Sequence, residues 1–120
     1  MDETRALAAF NALSQETRLR IVRLLVRAGQ DGMAAGAIAD AAGVGQSNVS
    51  FHLKELEQAG LVSSRRAARS IIYTAALPAL AGLVEFLMRD CCQGHPEICS
   101  PAVTAMRAGC SAPTPEKLDA

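Results

Sequence analysis

Residues 45–75 constrain the fold more than any other stretch of this 120-residue chain. In "GQSNVSFHLKELEQAG" the apolar residues Val49, Leu53 and Leu56 step by four and three, the spacing of one buried helix face. Gly60 stops that helix. Directly after it come "LVSSRR" and "SIIYTA", two runs of strand composition separated by "AAR". They predict a β-hairpin with an arginine-rich tip. The tip lacks the Gly or Asn of the favoured two-residue turns, so the strands are better specified than the turn between them.

The rest of the chain reads as helices. Residues 3–13 place Leu7 and Phe10 three apart and suit a short amphipathic helix. Ser14 can cap the next one, "QETRLRIVRLLVRAG". There Leu19, Val22 and Val26 share a face, with Leu25 beside them, and Gly29 ends the helix. Residues 30–33 read as a loop. Residues 34–42 form a small alanine-rich helix ending at Gly43. Pro78 can open the last helix from its first turn, with Leu80, Leu83, Val84 and Leu87 on one face. Gly94 and Pro96 argue against an unbroken helix beyond it. The expected fold class is mostly α with a short β-hairpin (α+β). The expected division is a domain at 1–92, a cysteine-containing extension at 93–110 and a flexible tail at 111–120.

Half the residues are apolar and only four are aromatic, so alanine and leucine must fill the core. No apolar run approaches the ~20 residues of a membrane span. The acidic start "MDETRALAAF" lacks the order of a signal peptide. The expectation is a cytoplasmic protein with no membrane partner. Net charge is zero, but residues 1–74 carry nine Arg/Lys against seven Asp/Glu, and residues 75–120 carry three against five. Residues 61–74 hold three arginines and no acid. Local patches rather than totals set a nucleic-acid footprint.

Two helices joined by "AGVG" and followed by a basic hairpin form a winged helix-turn-helix pattern. The second helix opens on short polar residues, Gln46, Ser47, Asn48 and Ser50, which reach base edges or phosphates without bulk. Its N-terminal dipole favours a nearby phosphate. Lys54, Arg65, Arg66 and Arg69 supply positive charge for the DNA backbone. A polar helix start alone is usually just a solvated end, and an arginine-rich tip alone is often a solubilising edge. Their order along the chain is what points to DNA. The faces at Leu7 and Phe10, and at Leu80, Leu83 and Leu87, exceed what one small domain needs to bury, so a homodimer is expected. A twofold DNA reader needs two half-sites about one turn, ~34 Å, apart.

Residues 88–99, "MRDCCQGHPEIC", hold three of the four cysteines. Thiols are expected to be reduced in the cytoplasm, and the spacing is not that of a paired CxxC zinc site. The residues leave three readings open: buried small hydrophobes, a redox pair of Cys91 or Cys92 with Cys99, and a thiol site for a metal or metalloid. Adjacent helical side chains point ~100° apart, yet Cys91 and Cys92 can share one ion at a fraying helix end. Cys99 would return through the bend at Gly94 and Pro96. Three thiolates suit a trivalent thiophilic ion such as As(III) or Sb(III). Zinc prefers a fourth ligand, which His95 or Asp90 can supply, and Cd(II), Pb(II) or Cu(I) also take soft sites. Cys110 reads as a free thiol or a fourth ligand. No phosphate-cradling loop surrounds the cysteines, so a paired-cysteine reductase is disfavoured and no enzyme activity or organic cofactor is expected.

"LSQETRLRIVRLL", "QSNVSFHLKELEQAGLV" and "RRAARSIIYTA", in that order, resemble the ArsR/SmtB family of metal-sensing repressors over roughly residues 5 to 92. The resemblance implies a homodimer joined by its first and last helices, bound to an inverted-repeat operator and released by metal. It implies that Gln46, Ser47, Ser50 and Phe51 face the major groove, that His52 and Lys54 support backbone contacts, and that Arg65, Arg66 and Arg69 form the wing. Phe51 departs from the family's usual histidine or arginine; it can meet a thymine methyl or simply pack. Arsenic sensors of the family often carry thiols on the helix before the recognition helix. Here that segment is "GMAAGAIAD", with Met33 its only sulfur. The Asp/His pairs of the zinc subset are also missing. Some arsenic repressors carry a Cys-Cys…Cys set near the last helix, so the resemblance places an As(III) or Sb(III) inducer at Cys91, Cys92 and Cys99. The alternatives are a redox-responsive or Zn/Cd-responsive repressor of the same fold, or a DNA-binding regulator without an inducer.

Overall fold

A computed structural model describes residues 1–89. Asp90, Cys91, Cys92, His95, Cys99 and Cys110, and the proposed divisions at 93–110 and 111–120, lie outside the described residues. Residues Met1–Phe86 form one compact unit. The elements are α1 (Glu3–Leu13), α2 (Glu16–Ala28), a 3-10 turn (Gly29–Asp31), β1 (Met33–Ala34), α3 (Ala35–Ala42), α4 (Gln46–Gln58), β2 (Val62–Ala67), β3 (Ser70–Ala75) and α5 (Leu77–Met88). The mostly helical α+β class and the winged helix-turn-helix order are as the sequence predicts.

Three local expectations change. The cap of α2 is Gln15, not Ser14: Gln15 is extended and its side chain accepts from the Arg18 N–H, whereas Ser14 sits in helical geometry at the end of α1 and its hydroxyl donates to the Asn11 carbonyl. Helix α2 turns Ile21, Val22 and Leu25 inward and leaves Leu19 and Val26 about half exposed. Its core stripe is therefore shifted round the helix from the one read off Leu19, Val22 and Val26. Within residues 30–33, Met33 starts β1, which pairs antiparallel with β3 through Met33↔Tyr73 and Ala34↔Ile72.

The sheet thus has three strands in the order β1-β3-β2. The hairpin closes in register at Ala67↔Ser70, so Ala68 and Arg69 make a two-residue turn. Ala68 takes φ 56°, the left-handed conformation such a turn needs at a position without glycine. Gly32 lets the chain pass close to β3. Its φ is 69°, and a Cβ there would run into the Tyr73 carbonyl and the Ile72 and Thr74 side chains.

The core joins Ile21 and Leu25 of α2, Ile38 of α3, and Val49, Leu53 and Leu56 of α4 to Leu61, all almost fully buried. Each such side chain contributes about 1.5–3 kcal/mol of transfer free energy. Helix α1 buries only alanines, Ala6, Ala9 and Ala12, so it lies close to its neighbours. Arg20 fastens α2 to α3: one Nη donates to the Ala42 carbonyl at the C-terminus of α3 and the other pairs with Glu16. A cation at a helix C-terminus also meets the favourable end of its dipole.

Candidate nucleic-acid interface

Helix α4 is held by its apolar stripe and by the turn before it. Gly43 closes α3 in the left-handed conformation, and Gly45 opens α4 without a side-chain cap. The first N–H groups of α4 therefore remain open to an external acceptor. At about 100° per residue, Ser47, Phe51 and Lys54 fall on one line pointing away from the buried Val49, Leu53 and Leu56. Gln46 and Ser50 form one shoulder of this face; Asn48 and His52 form the other. Gln46, Ser47, Asn48, Ser50, Phe51 and Lys54 are all exposed. Phe51 is 57% exposed, a large apolar ring left in water on the outermost line of the helix. The Gln46 amide leans over α3, where a Cβ on Gly36 would lie 3.1 Å from its Nε2.

His52 is placed differently from the others. It is half-buried, and its Nδ1 lies 3.2 Å from Nη1 of Arg18 on α2. Its ring meets Phe51 edge-on at 5.4 Å between centroids. Burial, with the Arg18 guanidinium adding to it and Glu55 opposing, lowers its pKa below the ordinary histidine value.

The wing is tied to the end of α4 by the Ser64 hydroxyl, which donates to Oε2 of Glu57 at 2.8 Å. Burial and the same Glu57 carboxylate raise the pKa of Tyr73 on β3. All three wing arginines are exposed, with Arg66 and Arg69 nearest the tip. Arg65 folds back: its Nη1 and Nη2 donate to the Gln30 and Asp31 carbonyls at 3.2 and 3.3 Å. The three arginines predicted as one cluster thus divide into two at the tip and one bound to the turn after α2. The sequence did not single out Arg18, whose contact with His52 spans 34 positions.

Of the expected interface residues, Leu7 is 61%, Phe10 38% and Leu87 55% exposed, and Leu80 is partly buried. Leu83 is given to the protomer's own core at 5% exposure. Leu77 and Val84 of α5 are exposed in addition. An open groove of about 910 Å³ runs between α1, the end of α2, the sheet and the start of α5, with Arg5, Leu25, Arg65 and Leu77 in its lining. Among the described residues no cluster of His, Cys, Asp and Glu can hold a metal ion, and no helix is long and apolar enough to cross a membrane.

A family profile described as a helix-turn-helix domain matches residues 13–65, which run from the end of α1 into β2. The transcriptional activator HlyU of Vibrio cholerae is 28% identical over 94 residues, covering 78% of this chain and 84% of HlyU. The structure of an ArsR-like transcriptional regulator from Rhodococcus sp. RHA1 superposes with a TM-score of 0.67 at 27% identity, over 85% of this chain and 93% of the other. A homodimeric winged helix-turn-helix DNA-binding domain from Mycobacterium bovis, described as a possible ArsR-family regulator, superposes with a TM-score of 0.56 at 32% identity, over 72% and 84% of the two chains. Shared helix order, wing and reading helix together make this chain a member of the ArsR family of winged helix-turn-helix, DNA-binding transcriptional regulators.

Proposed function

We propose that this protein is a cytoplasmic, homodimeric repressor that binds an inverted-repeat operator and is released when As(III) or Sb(III) binds Cys91, Cys92 and Cys99. The DNA half of this reading is carried by one observation: the line of Ser47, Phe51 and Lys54 stands exposed on a helix with an uncapped start, and the wing that follows it exposes Arg66 and Arg69 near its tip. Polar side chains and open N–H groups suit base edges and phosphates together. The apolar residues left exposed on α1 and α5 support a second copy, as does the homodimeric Mycobacterium bovis relative.

The inducer half rests on the sequence. Three thiols fall within nine residues, and Cys91 follows the end of α5 by three positions. Three thiolates match the pyramidal coordination of a trivalent, thiophilic ion. Release then follows from linkage: the ion binds the DNA-incompetent dimer more tightly, and DNA weakens ion binding by the same factor. Typical couplings change affinity ~5–150-fold.

Anaerobic titration of the protein–operator complex with As(III) tests the reading. Thiolate-to-metalloid absorption and DNA release are expected to rise together. Cys91→Ser, Cys92→Ser and Cys99→Ser should each retain operator binding and lose release; normal release in all three would remove the site. Release by a mild oxidant but not by As(III) would instead make this a redox-responsive regulator. Because HlyU is a transcriptional activator, a reporter assay decides the sign: expression that falls on deletion of the protein would make it an activator.

A further inference from the structure

Arg18 makes three hydrogen bonds that join three helices. Its backbone N–H meets the capping Gln15 side chain at 2.9 Å. Its Nε–H donates to the Ala12 carbonyl near the end of α1 at 2.7 Å, and its Nη1 lies 3.2 Å from Nδ1 of His52 on α4. Arginine has only N–H donors to offer and is charged at all working pH values. In the Arg18 contact, Nδ1 of His52 must therefore be the acceptor. A neutral imidazole carries one N–H, so the proton sits on Nε2, across the ring from Arg18.

The consequence concerns DNA, and rests on the reading of α4 as the DNA-facing helix. His52 shares a shoulder of that helix with Asn48, one turn closer to its open N-terminus. We propose that Arg18 is a positioning residue of the DNA interface: it fixes His52 as the neutral Nε2–H tautomer and so presents one directed N–H donor for a DNA phosphate oxygen. The bond to Ala12 holds the guanidinium itself, and Glu55 is the other charged group acting on the ring. A positioned neutral donor differs in kind from Lys54, whose ammonium swings on a flexible stem.

Two measurements test this. The first is the imidazole nitrogen NMR spectrum of the full chain without DNA, with the His52 signals assigned by their loss in His52→Asn. The chain has two histidines, so the assignment is direct. Wild type is expected to show Nδ1 bare and Nε2 protonated. Arg18→Met, which retains the apolar stem but no donor, is expected to show shifts averaged between the two tautomers. A proton on Nδ1 in the wild type, or an unchanged spectrum in Arg18→Met, overturns the positioning role.

The second measurement uses a duplex that the wild-type protein selects from a random-sequence pool. His52→Gln retains an N–H donor near the Nε2 position, whereas the shorter amide of His52→Asn reaches only the inner Nδ1 position. His52→Gln is expected to bind about tenfold more tightly than His52→Asn, the scale of one hydrogen bond to a charged oxygen. Equal affinities, or the reverse order, overturn the phosphate contact. If the wild type selects no duplex, the DNA reading of α4 falls, and the spectra still decide the Arg18–His52 relation.

Discussion

Helices α4 and α5 are almost the same length, 13 and 12 residues, and relate to water in opposite ways. Helix α4 buries Val49, Leu53 and Leu56 along one stripe and turns a polar face outward. Helix α5, "LPALAGLVEFLM", has Glu85 as its only charge and buries only Leu83, leaving Leu77 and Val84 exposed. A helix with one apolar stripe is complete within its own domain, whereas one apolar nearly all round is made to be covered on a further side. The first helix is therefore anchored by the core to present chemistry; the second offers its surface to be buried. The largest expected effect tests the anchored side. Leu56→Ala, at a site with no exposure, should lower unfolding free energy by about 2–5 kcal/mol, measured by chemical denaturation. A loss below 1 kcal/mol would mean that α4 is not held by its stripe.

The covered side should respond differently. Val84→Asp places a charge on a surface that is 39% exposed in the single chain, so it should leave protomer folding nearly intact. If α5 is covered by a second copy, the same change should weaken dimerisation more than tenfold, since an unpaired charge in an apolar contact costs several kcal/mol. Sedimentation and circular dichroism on one sample separate the two effects. An unshifted dimer would assign the apolar face of α5 to some other purpose.

These two helices also show what was legible in the sequence. The stripe of α4 could be read directly because the polar residues Ser50, His52 and Lys54 bracket it and leave one apolar face. Helix α2 offered two overlapping stripes, Leu19/Val22/Val26 and Ile21/Val22/Leu25, and only the positions of α3 and α4 decide between them. The β1 strand has two residues, too few to show a period. The capping exchange at Ser14 and Gln15 turns on backbone angles that composition does not encode. The α4 face itself was legible, since exposed polar residues at a helix start are a local pattern. The special placements of Arg65 and His52 were not, because their partners lie 34 or 35 positions away. The cysteine reading remains one made from spacing and resemblance alone.

The smallest effect sharpens the comparison within the wing, where residues of one chemical type are put to two uses. Arg66 and Arg69 have no ion-pair partner among the described residues, so each remains able to neutralise a phosphate. Such a contact contributes ~0.9 to the slope of log affinity against log salt concentration. Arg66→Ala and Arg69→Ala should each lower that slope by about one and weaken binding alike across sequences. Arg65→Ala should leave the slope unchanged, because two of its five N–H donors hold the guanidinium against the Gln30 and Asp31 carbonyls at the turn after α2. Its loss should appear instead as about 0.5–1.5 kcal/mol of stability, the net value of an ordinary hydrogen bond. Fluorescence anisotropy over a salt series, paired with denaturation of the same variants, reads both quantities. A reduced slope in Arg65→Ala would mean that this side chain leaves the turn after α2 when DNA binds, and that the wing is remodelled by its target.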